Sequence, residues 1–290
     1  MRLELEAIQE RSKPYEFEIG LLRRAYQLGR KPLRRVSSIL KRIYSRQRPY
    51  FICSAEGARF VGDFGDAYAR GCAVGWQNEH ITAQIIADHY RGPGAYVDVG
   101  SNMALLASQV ARRLPDAAIY CFEPHPETAR RAAATLALND IRHAKLYQAA
   151  VGDQAGVLPL YFEQGRSEGS TLGGSVLKHA AAPVEVPCIT LDDLVAAESG
   201  LQVGFLKVDV EGYEPQVFKG ADCLLREQSP PILFEINFPI ADKLGWTQQD
   251  IGKQLSAYGY EKFEAFDGDG HSVGWPAPVE EETVNVLALR

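Results

Sequence analysis

Residues 95–122 have the sequence AYVDVGSNMALLASQVARRLPDAAIYCF. A short apolar run that ends in glycine, 95–100, precedes a helical segment at 102–114, which Pro115 terminates. A second apolar run follows at 118–122. Two apolar strands joined by a helix are typical of a β-α-β unit, in which the helix connects two parallel strands of one sheet.

The alternation of strands and helices continues to the end of the chain. Further strands are predicted at 144–151, 157–162, 204–210, 232–236, 261–266 and 283–289, and further helices at 126–138, 215–225 and 248–258. These apolar runs are too continuous for a sheet with one face in water. Only a loop at 267–282 separates the last two strands, which are therefore expected to pair antiparallel at one edge. The predicted fold class is α/β, with a doubly wound and mainly parallel sheet.

The composition is that of an ordinary globular protein, since 46% of the 290 residues are hydrophobic and 23% are charged. This excludes collagen, a coiled coil and wholesale disorder. No stretch approaches the roughly 20 apolar residues of a membrane span, and the first residues, MRLELEAIQER, lack the apolar run of a signal peptide. The five cysteines have no metal-binding spacing. We therefore expect a cytoplasmic protein, and the oligomeric state stays open.

The charge is unevenly distributed. The net charge of −6 argues against a nucleic-acid partner, yet residues 19–55 contain ten Lys or Arg and no acid. Residues 32–45 are predicted to form an amphipathic helix with a cationic face. This helix either contacts an anionic surface peripherally or is a solvated helix that packs on an acidic body. We predict an N-terminal helical and β arm at 1–90 and a unit that carries the chemistry at 91–290.

The first turn of that unit follows Asp98, and in such sheets ligands bind beyond the carboxyl ends of the strands. Gly100 permits a tight turn. The Asp98 carboxylate would repel a pyrophosphate but suits a cofactor with an amino group or a positive charge. Glu123, which ends the second strand, is suitably placed to accept hydrogen bonds from both hydroxyls of a ribose. The two acids together favour S-adenosylmethionine, with its cationic ammonium and sulfonium, over NAD.

The chain resembles the FkbM-type family of S-adenosylmethionine-dependent methyltransferases over roughly residues 51–290. The resemblance is carried by YVDVGSNMALLA, CFEPHPE, QAAVGD, TLDDL, FLKVDVEGYEPQVFKGA and LFEIN, in the family's order. It implies a seven-stranded, Rossmann-like class I sheet with an antiparallel edge strand. It also implies methyl transfer to a hydroxyl, often on a sugar, a glycan or a secondary-metabolite ring. Ala104 stands where the family usually has glycine, which we interpret as a small packing change.

The resemblance also implies the cofactor site. Its expected members are Asp98, Gly100, Ser101 and Asn102 in the first turn, Glu123 and Pro124 at the ribose, and Ala150, Val151 and Asp153 near the adenine. Two other classes of function were weighed against this one. A catalytically silent binding or scaffold protein would use the basic arm as its working surface. An NAD-dependent dehydrogenase would need a first strand that ends without a carboxylate and a third glycine in the turn, and this sequence has neither feature.

Polar side chains lie at the ends of two further strands of the predicted sheet. The candidate catalytic residues are Lys207, Asp209, Glu211, Glu235 and Asn237. Because alternate residues of a strand share one face, these groups are expected to converge beyond the strand ends. We predict Asp209 or Glu235 as the general base for the acceptor hydroxyl, with Lys207 and Asn237 orienting the acceptor.

Two other interpretations of these residues stay open. In one, Asp209, Glu211 and Glu235 hold a single divalent cation such as Mg²⁺, since hard oxygen ligands suit it. In the other, Lys207 only pairs with an acid and Glu211 only caps the next helix.

An insertion at 157–190 interrupts the regular alternation. Its Gly- and Ser-rich part, 165–175, is either a mobile substrate lid or a plain flexible loop. The hydroxyl groups would suit a polyhydroxylated acceptor.

Overall fold

The computed structural model describes residues 50–75, 78–163, 166–173, 182–278, 280 and 282–290. The predicted basic helix at 32–45 lies outside these residues, as does most of the cationic segment at 19–55. None of the helices within the described ranges has the length and hydropathy needed to cross a membrane.

Helices and strands alternate as the sequence predicts from residue 95 onward. The helices are α1 (Ala67–Val74), α2 (Glu79–His89), α3 (Leu105–Arg113), α4 (Pro126–Leu138), α5 (Leu191–Ala197), α6 (Glu214–Lys219), α7 (Asp222–Glu227), α8 (Phe238–Leu244) and α9 (Gln248–Ser256). The strands are β1 (Tyr50–Ala55), β2 (Ala58–Asp63), β3 (Ala95–Val99), β4 (Ala118–Phe122), β5 (Lys145–Tyr147), β6 (Ala150–Val151), β7 (Gly156–Glu163), β8 (Arg166–Thr171), β9 (Val184–Ile189), β10 (Val203–Val208), β11 (Ile232–Asn237), β12 (Lys262–Phe266) and β13 (Thr283–Leu289).

The central sheet has seven strands in the order β12-β13-β11-β10-β3-β4-β5. The neighbours from β11 to β5 are parallel, whereas β13 is antiparallel to both β11 and β12. The predicted α/β class, with a mainly parallel sheet and antiparallel pairing of the last two strands, is confirmed. The strand that runs against the others, β13, lies one position in from the edge.

Helices cover both faces of this sheet, which is why its strands are continuously apolar. Every residue of β3 and β10 is buried. Val97 and Leu206 pack on the face covered by α5, α6, α7 and α9, while Tyr96 and Phe205 pack on the face of α2, α3 and α4. By the alternation of a strand, Asp98 and Lys207 share the second face.

Three regions differ from the predictions. The predicted helix at 215–225 is two helices, α6 and α7. The predicted strand at 144–151 is two strands, because β5 joins the central sheet while β6 joins a second sheet of order β6-β9-β7-β8. The predicted loop at 165–175 contains a strand, since residues 166–171 form β8 and pair antiparallel with β7. Backbone hydrogen bonds to β7 give this segment its conformation although its composition is that of a loop.

Asp66 connects three elements at the side of the sheet. Its carboxylate caps α1 by accepting from the Tyr68 N–H, accepts from the Ser167 N–H of β8 at 3.1 Å, and pairs with Arg131 of α4 at 2.7 Å. Burial raises the pKa of Asp66, but Arg131 and Ser167 outweigh this effect and hold the pKa below its usual value. The resulting stabilisation is therefore present above the unfolded-state pKa and is lost as the pH falls through the folded-state pKa.

We expect Asp66→Asn to lower the free energy of unfolding by about 3–5 kcal/mol, the range for removing one partner of a buried ion pair. Asparagine keeps the side-chain volume and can still cap a helix. The loss of stability therefore measures the effect of leaving the buried Arg131 without a negatively charged partner. Urea unfolding followed by circular dichroism measures the change. Asp140→Asn is the control because its ion pair with Arg142 is exposed, and less than about 1 kcal/mol is expected there. Equal losses in the two variants would contradict the role assigned to Asp66.

Candidate active site

A cavity of about 770 Å³ lies at the carboxyl ends of β3, β4, β10 and β11. Strand β8 and the start of α2 also contribute to its lining, through Ser167 and Glu79 among others. Its position agrees with the rule that ligands of open α/β sheets bind beyond the carboxyl ends of the strands.

The turn after β3 forms part of the cavity floor. The N–H groups of Gly100 and Ser101 both donate to the Phe122 carbonyl oxygen, at 3.0 and 2.9 Å. Gly100 has a φ of +83°, and a Cβ atom there would lie 1.8 Å from the Asp209 carbonyl oxygen. Only glycine therefore fits between the ends of β3 and β10.

Ala104 occupies a position where the backbone itself favours glycine. Its φ is +57°, in the left-handed region, and it directly precedes α3. An L-residue with a Cβ atom is disfavoured there by roughly 1–2 kcal/mol. The substitution of the family's usual glycine is thus a conformational change as well as the packing change that we expected.

Asp98 and Lys207 form a buried ion pair on adjacent strands. The Lys207 Nζ atom lies 3.7 Å from Asp98 and 3.0 Å from Asp209, and it donates to the Gly100 carbonyl oxygen at 3.4 Å. Burial lowers the pKa of Lys207, but Asp209, Asp98 and Glu79 outweigh this effect and raise it. Burial raises the pKa of Asp98, and Lys207 opposes that shift. Lys207 therefore stays charged.

Asp98 has no exposed surface and does not line the cavity. Its nearest described cation is Lys207, at 3.7 Å, and the predicted contact between this carboxylate and a cofactor ammonium stays a prediction.

Glu123 stands on the other side of β3, where β4 ends. It lines the cavity, and its Oε1 atom accepts from the His125 N–H at 2.9 Å. Burial raises the pKa of Glu123 to about 7, against the effects of the His125 and Asn102 N–H groups and of Arg131. His125 itself lies outside the cavity lining and caps α4 by accepting from the Thr128 N–H.

Seven of the nine predicted cofactor residues line the cavity. These are Gly100, Ser101, Asn102, Glu123, Pro124, Ala150 and Val151. Besides Asp98, the exception is Asp153, which is exposed on the turn after β6. The contact of this turn with an adenine stays a prediction.

All five predicted catalytic residues line the cavity together. Carboxylate oxygens of Asp209, Glu211 and Glu235 lie within 4.8 Å of one another, and Asn237 donates to Glu211 at 3.5 Å. Burial, followed by the charges of Asp209 and Glu211, raises the pKa of Glu235 well above its usual value. The group has the hard oxygen donors that a divalent cation needs.

The turn that carries Glu211 is held by groups that the sequence did not single out. The Glu214 carboxylate accepts from the N–H groups of Val210 and Gly212, at 3.0 and 3.2 Å. Thr171 of β8 donates to the Glu211 carbonyl oxygen at 2.8 Å. Burial raises the pKa of Glu214 to about 7. The N-cap of α6 is Tyr213, so Glu211 does not cap that helix as one interpretation held.

Tyr68 of α1 and Glu79 of α2 also line the cavity, and the Tyr68 hydroxyl donates to the Glu79 carboxylate. No sequence signal identified this pair. An acid in the first turn of a helix is a common stabilising feature, and a tyrosine eleven residues earlier belongs to no motif.

Comparisons with known proteins show that this chain is similar to methyltransferases. Methyltransferase sdnD of Sordaria araneosa is 32% identical over 154 residues, which cover 43% of this chain and 60% of that protein. The 2-O-methyltransferase NoeI of Sinorhizobium fredii (strain NBRC 101917 / NGR234) is 25% identical over 167 residues, which cover 53% of this chain and 68% of NoeI. The match therefore spans about three fifths of the length of sdnD.

The crystal structure of a methyltransferase FkbM from Methylobacillus flagellatus KT aligns with a TM-score of 0.48 at 12% identity, covering 77% of this chain and 53% of that chain. The family model described as Methyltransferase FkbM domain matches residues 94–262, which is more than half of the sequence. These residues include the Gly100 turn, Glu123, the carboxylates that follow β10 and the carboxylate near the end of β11. The chain therefore belongs to the FkbM methyltransferase family.

Proposed function

We propose that the protein is an S-adenosylmethionine-dependent O-methyltransferase whose acceptor is a hydroxyl of a sugar, a glycan or a secondary-metabolite ring. The observation that carries the proposal is a single cavity that joins the Gly100 turn and Glu123 to the carboxylates of Asp209 and Glu235. Family membership and the similarity to NoeI, which is named as a 2-O-methyltransferase, support it.

The charge of the cavity fits this cofactor. Eight Asp or Glu residues and two Lys residues are among the described residues of its lining. Such a surplus of acids attracts a sulfonium and an ammonium and repels the pyrophosphate of NAD. The backbone at Gly100 and the Glu123 carboxylate would hold the nucleoside, and the bound cofactor supplies a methyl group on a positively charged sulfur. The surplus of acids disfavours the NAD-dependent dehydrogenase, and the presence of an open cavity disfavours a catalytically silent scaffold.

Glu235 is the better candidate for the general base. A base needs affinity for the proton of the acceptor hydroxyl, and the crowding of Glu235 by Asp209 and Glu211 increases that affinity. The carboxylate of Asp209 is already engaged by Lys207 at 3.0 Å. In this proposal Lys207 holds Asp209 in position, and Glu211 and Asn237 orient the acceptor beside Glu235.

The acceptor side of the cavity includes hydroxyl groups from the insertion. Ser167, Ser170 and Thr171 of β8 line it, which suits a polyhydroxylated ring. We propose that the insertion at 157–190 forms the acceptor wall of a catalytic unit at 91–290, to which the arm at 1–90 is attached.

We expect the affinity for S-adenosylhomocysteine to fall roughly tenfold per pH unit below about pH 7. The raised pKa of Glu123, about 7, means that its carboxylate binds a proton there and then cannot accept from both ribose hydroxyls. Glu123→Gln should weaken binding at neutral pH and flatten this dependence, whereas Asp153→Asn, at an exposed position outside the cavity, should change neither. Isothermal titration calorimetry measures both effects. Heat with NADH and none with S-adenosylhomocysteine would overturn the proposed function.

Glu235→Gln should lower turnover by about 10²–10⁴-fold, the usual contribution of a general base, and leave the affinity for S-adenosylhomocysteine unchanged. Asp209→Asn should lower turnover by a smaller factor, because it removes the partner of Lys207 but keeps the proposed base Glu235. Turnover is measured as S-adenosylhomocysteine release with the best acceptor from a panel of sugars and ring alcohols. A larger loss in Asp209→Asn than in Glu235→Gln would assign the base to Asp209.

Removal of divalent cations distinguishes this mechanism from one that uses metal at Asp209, Glu211 and Glu235. We expect turnover to persist in excess EDTA, because Lys207 already provides a positive charge beside Asp209. Loss of turnover in EDTA, with recovery on adding Mg²⁺ but not K⁺, would instead assign the three carboxylates to a cation.

A further inference from the structure

Glu79 is a carboxylate in the cavity that the proposed mechanism does not use. It begins α2, outside residues 94–262 that match the family, and its half-buried side chain lines the cavity. Its hydrogen-bond partner is the neutral Tyr68 hydroxyl. Among the residues that the structure describes, no Lys, Arg or His lies within ion-pair distance of Glu79. Glu79 therefore lacks a direct ion pair among these residues, although the charge of Lys207 acts on it at longer range.

Glu79 lies on the β10 side of the Gly100 turn. Its charge interacts with Lys207, Asp209 and Asp98, which belong to the ends of β10 and β3. These side chains project from the face of the sheet that α2 covers. Glu123 stands on the opposite side of the same turn, at the end of β4. The two carboxylates thus lie on either side of the turn.

The geometry points to Glu79 as the residue that binds the methionyl ammonium of S-adenosylmethionine, with Tyr68 positioning its carboxylate. This inference rests on the proposed function. With the ribose at Glu123, the amino-acid chain of the cofactor extends across the Gly100 turn toward β10. Asp98, the acid that the sequence suggested for this contact, has no exposed surface and is engaged by Lys207. Glu79, in contrast, lines the cavity and forms no direct ion pair with Lys207.

The chemistry of the pair supports the assignment. An ammonium that donates to a partly desolvated carboxylate forms a charge-assisted hydrogen bond, which is stronger than a neutral one. Tyr68 occupies part of the carboxylate and fixes its rotamer, so little conformational freedom remains to be lost on binding. The N-terminal part of the chain would then complete a cofactor site whose other members belong to the family domain.

The test compares two ligands that differ in the amino-acid chain. S-adenosylhomocysteine carries the ammonium, whereas 5′-methylthioadenosine has the same nucleoside and thioether without it. We expect Glu79→Gln to weaken S-adenosylhomocysteine binding roughly ten- to hundredfold and to leave 5′-methylthioadenosine binding unchanged. Glu123→Gln, at the ribose, should weaken both ligands. Calorimetry on the full chain gives the affinities, and an unchanged thermal midpoint shows that the variant is folded.

Two matched variants sharpen the comparison. Glu282→Gln removes an exposed negative charge from the cavity lining and should not change the ratio of the two affinities. Tyr68→Phe keeps the ring and removes the hydroxyl, so it should lower the affinity for S-adenosylhomocysteine selectively but by less than Glu79→Gln.

The outcomes separate this inference from the proposed function. A wild-type protein that binds neither ligand would refute both. If the wild type binds S-adenosylhomocysteine and Glu79→Gln weakens the two ligands equally, Glu79 has only a structural role and the inference is wrong. It is also wrong if Glu79→Gln binds both ligands as the wild type does and loses turnover alone, because Glu79 would then act on the acceptor.

Discussion

The candidate site depends on the charge of Lys207, which is buried between two strands of the central sheet. A lone ammonium would cost several kcal/mol to bury, so it needs compensating groups. Asp98, Asp209 and the Gly100 carbonyl oxygen provide them, and they belong to the ends of β3 and β10. The same contacts bring these two strand ends together at a point where any side chain at position 100 would collide with the Asp209 backbone.

The floor and the walls of the cavity differ in charge as a result. On the floor, the Lys207 ammonium faces the carboxylates of Asp98 and Asp209 and offsets part of their charge. Around it, burial raises the pKa values of Glu79, Glu123 and Glu235, none of which forms a direct ion pair among the described residues. In the proposed function, such a distribution would attract a cationic cofactor, and the burial of Glu235 beside other acids would increase its affinity for a proton. In the proposed reaction the methyl transfer consumes the sulfonium charge, so the acidic walls would hold the substrate form of the cofactor more strongly than the product form.

The family domain by itself does not enclose the cavity. Its matched residues, 94–262, contain the turn after β3 and the strand ends that carry the polar groups. Tyr68 and Glu79 come from helices before that range, and Asp66 connects the first of these helices to α4 and β8. The contacts made by the segment before residue 94 are therefore part of the site's construction as well as its stability.

The periodicity of the sequence determined the alternating strands and helices and the mainly parallel sheet, because the pattern of apolar residues within each segment specifies a strand or a helix. It also determined that Asp209 and Glu235 converge, because both lie near the carboxyl ends of parallel strands. The residues themselves indicated a ligand-binding turn at Gly100, and the family resemblance added the other expected members of the cofactor site. Only the tertiary structure decided that Asp98 is covered by Lys207, that Ala104 takes a left-handed conformation, and that Glu79 enters the cavity. These features depend on how segments distant in sequence pack against each other, and a local pattern of residues carries no information about such contacts.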